Sequence, residues 1–285
     1  MLVEAITGPI ARHGEGVIWD SAEGLVRWVD MLAGDVLSIA PGKSETHRFH
    51  AGRVVTALRP RRHGGLVLGM ERGFALLDAE FTQEAPVVEL WSDPSVRMND
   101  GGCDPAGRFF CGSMAYDGAF GRGRLYRLDP DGTVTTVLRG VTISNGIAWT
   151  PDGGMAYYID SFTQCIDAFD YDVERGKLTG RRVVAEIPER DGTPDGMTID
   201  ADGFLWVAIW GGGAVRRYAP NGRLDGVIQV PARLVTACSF GGPNLDELYI
   251  TTSRLDLGEE AEPLAGALFR CRPGTRGPAP HLFAG

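Results

Sequence analysis

Four oxygen-bearing side chains, Glu15, Asn99, Asn145 and Asp195, recur at one phase of a repeating pattern. Each lies eight or nine positions ahead of a glycine that opens a strand-forming run, at Gly24, Gly107, Gly154 and Gly203. Each is followed by Gly or by Asp-Gly. Two carboxylates and two amides offer oxygen donors only. That set suits a hard or borderline divalent cation such as Ca²⁺, Mg²⁺ or Mn²⁺, and it can hold Zn²⁺. Taken singly, Asn-Gly and Asp-Gly are ordinary turn dipeptides. Their recurrence at one phase, each time ahead of an apolar strand, points to a shared polar site. The same phase in two further units holds Thr56 and Ala237, which are weak or non-ligating.

Residues so distant in sequence need a repeating scaffold to meet. The runs read Gly24–Asp30, Gly65–Glu71, Gly107–Ser113, Gly154–Asp160, Gly203–Ile209 and Asp246–Thr252, and most end in an acid or hydroxyl. Their starts are 41 to 49 residues apart, so six units fill the 285 residues. A second strand usually follows a glycine, as at Gly34, Gly73, Gly123, Gly213 and Gly266. Turns such as Asp129-Pro-Asp-Gly132 separate the strands, with Pro fixing φ and Gly taking a positive one. Forty glycines and seventeen prolines leave too few uninterrupted stretches for a mainly helical protein. Several short strands per unit of this period are the mark of propeller blades, whereas a parallel β-helix needs a much shorter period. The expectation is all-β, a six-bladed β-propeller forming a single domain over 1–285. Its inner strands precede the runs and line a central channel, so the four polar residues form a ring at one mouth. The ring is expected to close by the segments 2–6 and 281–283 joining one blade.

The formal net charge is −9, and the densest basic run, Arg59–Arg62, is short and broken by Pro60. A nucleic-acid partner is therefore not expected. No apolar run approaches the length of about twenty residues that a membrane helix needs, and no membrane association is expected. The five cysteines, 103, 111, 165, 238 and 271, are widely spaced without a C-x-x-C, which points to free thiols. The N-terminal residues show no basic segment followed by an apolar core, so the expected location is cytoplasmic. His13, two residues before Glu15, is expected at the surface, with a role beside Glu15 as the alternative.

Several ordered segments resemble the SMP-30/gluconolactonase/luciferin-regenerating (regucalcin-like) family. They include Gly14-Glu-Gly-Val-Ile-Trp19, Arg97-Met-Asn-Asp-Gly101, Ser144-Asn-Gly-Ile-Ala-Trp149, Thr193-Pro-Asp-Gly-Met197 and Leu248-Tyr-Ile-Thr-Thr252. The resemblance runs nearly end to end. It implies a six-bladed propeller with one catalytic divalent cation (Ca²⁺, Zn²⁺, Mn²⁺, Mg²⁺ or Fe²⁺) at the channel mouth. By motif, Glu15, Asn145 and Asp195 would hold the metal, Asp195 would also be the catalytic base, and Arg97 and Asn99 would bind the substrate. Two departures stand out. Val17 replaces the family's usual proline, and the loop on which an acid touches the sugar in some members is here the short Ala115–Gly123, with Tyr116 or Asp117 as the substitute.

The resemblance implies hydrolysis of a small sugar lactone to the aldonic acid, by a monomer or small homo-oligomer. An ester-type lactone needs no covalent nucleophile, and neither G-x-S-x-G nor H-E-x-x-H occurs. The alternatives are a metal-dependent esterase or phosphotriesterase, a sugar-acid lyase, or a non-catalytic metal-binding propeller.

Overall fold

The computed structural model describes residues 2–83, 88–258 and 262–285. Of the span 1–285 expected to form one domain, Met1, 84–87 and 259–261 lie outside the described residues. The described chain forms six four-stranded antiparallel sheets and three single 3-10 turns. Five sheets are continuous in sequence. Blade one, for example, runs through Gly14–Asp20, Leu25–Asp30, Asp35–Ile39 and His47–His50.

The first strand of each blade is the inner one. These are Gly14–Asp20, Val55–Pro60, Val96–Cys103, Ser144–Trp149, Thr193–Ile199 and Val235–Gly241. They touch one another in ring order, from blade one to six and back to one. The glycine-led runs are the second strands, which follow the inner strands as expected.

A twisted sheet buries its faces only against another layer, and six apolar clusters fill the six gaps between neighbouring blades. Trp206, Val215 and Ile228 of blade five meet Phe240, Ile250 and Phe269 of blade six. Trp19, Trp28 and Leu37 of blade one meet Tyr249 and Leu268 of blade six. The ring is therefore a closed series of shared cores, and every blade depends on two neighbours.

Closure differs in part from expectation. The N-terminal strand Glu4–Ala5 does join blade six, pairing Glu4 with Arg270 and Ala5 with Phe269. The C-terminal segment does not enter that blade. Phe283 bridges Arg61 of blade two in parallel, and Ala284 N–H donates to Gly107 O of blade three. Once Glu4–Ala5 supplies the fourth strand of blade six, the tail is free to cross the channel's far mouth. There Pro278–His281 cover a cavity walled by several inner strands and Arg59.

Candidate active site

Every inner strand slips register near its start, at the same depth. The slips lie between Glu15 and Ile18, Val55 and Ala57, Met98 and Gly101, Ser144 and Ile147, Pro194 and Met197, and Val235 and Ala237. A bulge frees a residue from the ladder and re-aims its side chain. The freed polar residues are Thr56, Asn99, Asn145, Asp195 and Thr236, while in blade one Glu15 is the last residue paired, with Val29, before the slip. In blade six the position is thus Thr236 rather than Ala237. The hairpin between paired residues Gly241 and Glu247 holds one residue more than that between Asp20 and Leu25, which displaces the count by one. Thr56 and Thr236 spend their hydroxyls within the strands, on Gly69 O at 3.3 Å and Gly14 O at 2.6 Å.

The glycines after Asn145 and Asp195 have a packing reason. A Cβ on Gly146 would sit 2.6 Å from Met197 Cβ, and one on Gly196 would sit 2.7 Å from Ala237 Cβ. The next blade's inner strand comes too close for any side chain. The acids that end two second strands have a positioning role. Asp30 accepts from the N–H groups of Arg12 and His13, both at 3.0 Å, and Asp160 from Thr142 and Ile143, both at 2.9 Å. Each clamp fixes the chain two residues ahead of a site residue, Glu15 or Asn145.

Glu15, Arg97, Asn99, Asn145 and Asp195 all line one cavity of about 250 Å³. A hydrogen-bond chain orients the amides. Arg97 Nη1 donates to Asn99 Oδ1 at 2.5 Å, and Asn99 Nδ2 donates to Ser144 O at 2.7 Å and Asn145 Oδ1 at 3.1 Å. Asn145 Nδ2 donates to Ser161 Oγ at 2.7 Å, and the Ser161 hydroxyl donates to Pro194 O at 2.6 Å. The Asn145 donor side is thereby committed to Ser161, and its oxygen faces Asn99.

The carboxylates are poorly compensated. Burial, then repulsion from Asp100, pushes the Glu15 carboxyl up to about 8. Burial, then repulsion from Glu15 and Asp100, holds Asp195 well above the usual carboxylate range, with Arg97 opposing. Asp195 Oδ1 is buried and has no hydrogen-bond partner. Two buried, mutually repelling carboxylates and an oriented amide oxygen are the groups a divalent cation would satisfy. Among the described residues no three His, Cys, Asp or Glu side chains form a metal-binding group.

The structure also brings in residues that the sequence pattern did not mark. His13 is buried, 6% exposed, and lines the cavity instead of lying at the surface. It sits between the Asp30 clamp and Glu15, and burial drives its imidazole down to about 3. Asp100, second residue of the Asn99-Asp100 bulge, is buried, and burial raises its carboxyl. Ser161 is the hydroxyl that orients Asn145; its only sequence signal is its place directly after the clamp Asp160. In the loop after blade three's second strand, Tyr116 lines the cavity 5.6 Å below the Arg97 guanidinium, and Asp117 instead caps Ala119 N–H in a local turn.

The SMP-30/gluconolactonase/LRE-like region model matches residues 13–254. Pentonolactonase XacC of Haloferax volcanii is 39% identical over 279 residues, covering 95% of this chain and 94% of the relative. Regucalcin of Danio rerio is 35% identical over 290 residues, covering 99% and 98%. A solved structure described as a calcium-binding protein, regucalcin, from Agrobacterium tumefaciens superposes with a TM-score of 0.90 at 28% identity, covering 96% and 94%.

Proposed function

This chain belongs to the SMP-30/gluconolactonase/LRE-like family, and we propose that it hydrolyses small sugar lactones of the aldonolactone type to aldonic acids, as one domain over 1–285. Glu15, Asn145 and Asp195 would hold a divalent cation. The observation that carries this reading is the convergence in one cavity of two buried, mutually repelling carboxylates and an oriented amide oxygen. The substrate class is supported by the relative named pentonolactonase. A bound divalent cation supplies charge neutralisation and Lewis-acid polarisation of a carbonyl.

The chain's own groups account for the remaining steps. Asp195 Oδ1 has no protein partner, so it is free to accept a proton from water. In its carboxylate form it would act as the general base. The water oxygen bonds to the lactone carbonyl carbon, the ring C–O bond breaks, and the proton taken by Asp195 passes to the departing ring alkoxide. Arg97 presents a permanently charged, buried guanidinium, and its Nε has no partner within the protein. It is suited to a substrate carbonyl or hydroxyl oxygen. Both Nδ2 hydrogens of Asn99 are used on Ser144 and Asn145. Asn99 therefore offers the spare lone pair of Oδ1 to a substrate hydroxyl.

Asp195→Ala and Glu15→Gln test the assignment. Each is expected to lower lactone hydrolysis about 10²–10⁴-fold in cation-saturated protein. Burial raises the proton affinity of both carboxyls above its unfolded value, which costs the chelated fold stability, so their removal should leave its unfolding midpoint equal or higher. Wild-type rates in both variants would sink the assignment. The native cation and sugar come from a screen of aldonolactones on chelated enzyme re-supplied with Ca²⁺, Zn²⁺, Mn²⁺, Mg²⁺ or Fe²⁺.

A further inference from the structure

The cavity wall at the start of blade one carries an imidazole that none of the roles above uses. His13 precedes Gly14-Glu15 on blade one and is held from three sides. Asp30 accepts from its backbone N–H at 3.0 Å. Trp210 of blade five packs edge to face against its ring, with centroids 5.8 Å apart and planes at 83°. Ser253, beyond blade six's second strand, places Oγ 2.8 Å from its Nδ1.

The serine decides which ring nitrogen carries hydrogen. Ser253 Oγ already accepts from Leu255 N–H at 3.0 Å. Its own proton has two possible acceptors, His13 Nδ1 at 2.8 Å and Arg12 O at a long 3.5 Å. The shorter contact takes the proton. Nδ1 is then the acceptor and Nε2 bears the hydrogen. Nε2 lies 3.9 Å from Glu15 Oε1, beyond hydrogen-bond reach, and no other acceptor among the described residues engages it. The ring borders the cavity, so this N–H is available to whatever the cavity holds.

We propose that His13 is a substrate-contacting residue whose Nε2–H donates to an oxygen of the bound lactone, with Ser253 fixing the tautomer. This rests on the reading of the cavity as a lactonase site. Together with Arg97 and Asn99 of blade three it gives the cavity polar groups from two separate blades. A ring bearing several hydroxyls meets partners from both, whereas an alkyl-substituted lactone leaves the His13 hydrogen unpaired. The site therefore selects polyhydroxylated lactones.

His13→Leu and His13→Gln test the proposal, because glutamine can return a donor close to Nε2 and leucine cannot. They are compared with wild type on an aldonolactone and on each of its monodeoxy analogues. His13→Leu is expected to lose about tenfold in kcat/KM, chiefly through KM, with His13→Gln within about threefold of wild type. Wild type should disfavour one monodeoxy analogue that His13→Leu treats like the parent lactone. An equal loss on every analogue would mean a structural role only and would overturn the proposal. Calorimetric Ca²⁺ and Mn²⁺ affinities should be unchanged in His13→Leu; a tenfold fall would make His13 a cation ligand and overturn it as well. Wild-type hydrolysis that His13→Leu leaves intact refutes this proposal alone. Absence of any aldonolactone hydrolysis by wild type refutes the proposed function, and this inference with it.

Discussion

Glu15 and Asp195 are buried acids whose proton affinity is raised by burial and by neighbouring carboxylates, Asp100 for Glu15 and then Glu15 and Asp100 for Asp195. That arrangement is costly unless a positive charge is supplied, because a buried carboxylate is otherwise neutralised by a proton. A cation held by these groups must therefore displace protons. The Glu15 carboxyl is pushed up from 4.5 to about 8, so below about pH 8 it enters the binding reaction protonated. The Glu15 contribution to cation affinity is expected to rise with pH up to about 8 and to level off above it. Titration calorimetry at pH 6.5 in two buffers of different ionisation enthalpy should detect proton release, and Glu15→Gln should reduce it. Equal heats in both buffers would contradict the burial argument. The sequence pattern marked Glu15, Asn99, Asn145 and Asp195 because repetition turns one phase into one depth. Arg97 falls off that phase and came only from the family resemblance. His13 carried no such signal, since a lone histidine has no partner in sequence; its serine is 240 residues away.

Between residue and blade, placement of the site depends on two devices. The bulge aims a side chain out of the ladder, and the acid at the end of the second strand pins the chain entering the inner strand. The recurring terminal acid or hydroxyl was visible in the sequence runs, but its purpose was not, because its partners belong to the segment 17 or 18 residues earlier. The dipeptides Asn145-Gly and Asp195-Gly likewise suit a turn as well as a bulge. Only the neighbouring blade, closing to within 2.6 Å of where a Gly146 Cβ would stand, distinguishes the two. Asp160 is the sharper test of the pinning argument. It accepts from Thr142 and Ile143 N–H at 2.9 Å and from Phe162 N–H at 3.3 Å. Asp160→Ala strands buried donors and is expected to cost about 2–4 kcal/mol in urea unfolding, at roughly 1–3 kcal/mol per unsatisfied group. It should also weaken cation binding, since both Asn145 and Ser161 depend on this clamp, while Asp160→Asn retains part of each. A variant that loses stability but binds the cation as wild type does would separate the clamp from the site.

At the scale of the whole molecule, the ring has no core of its own, only six shared ones, so its stability depends on closing every gap. Periodicity revealed six blades because each carries the same strand order. It misplaced the tail because a segment with two prolines near its start and no alternation, Pro278–Gly285, has no strand signature and forms its backbone hydrogen bonds with chain more than 170 residues earlier. Those contacts are specific. Phe283 is buried among Phe74, Met98 and Phe109 at the junction of blades two and three. Its N–H donates to Pro60 O at 2.9 Å and its carbonyl accepts from Arg62 N–H at 2.8 Å. Upstream, Arg276 O accepts from Ala201 N–H, and Gly277 N–H donates to Leu245 O, so the tail ties blades five and six to blades two and three. A strap across the far mouth opposes opening of the ring without touching the candidate site at the other mouth. Phe283→Ala leaves the backbone bonds in place and removes only the buried ring, for an expected loss of about 3–5 kcal/mol in urea unfolding. Lactone turnover at saturating cation should be unchanged in the folded variant. A loss well under about 1 kcal/mol would mean that the tail merely rests on the ring, and a fall in turnover with the fold intact would mean that the two mouths are coupled through the inner strands.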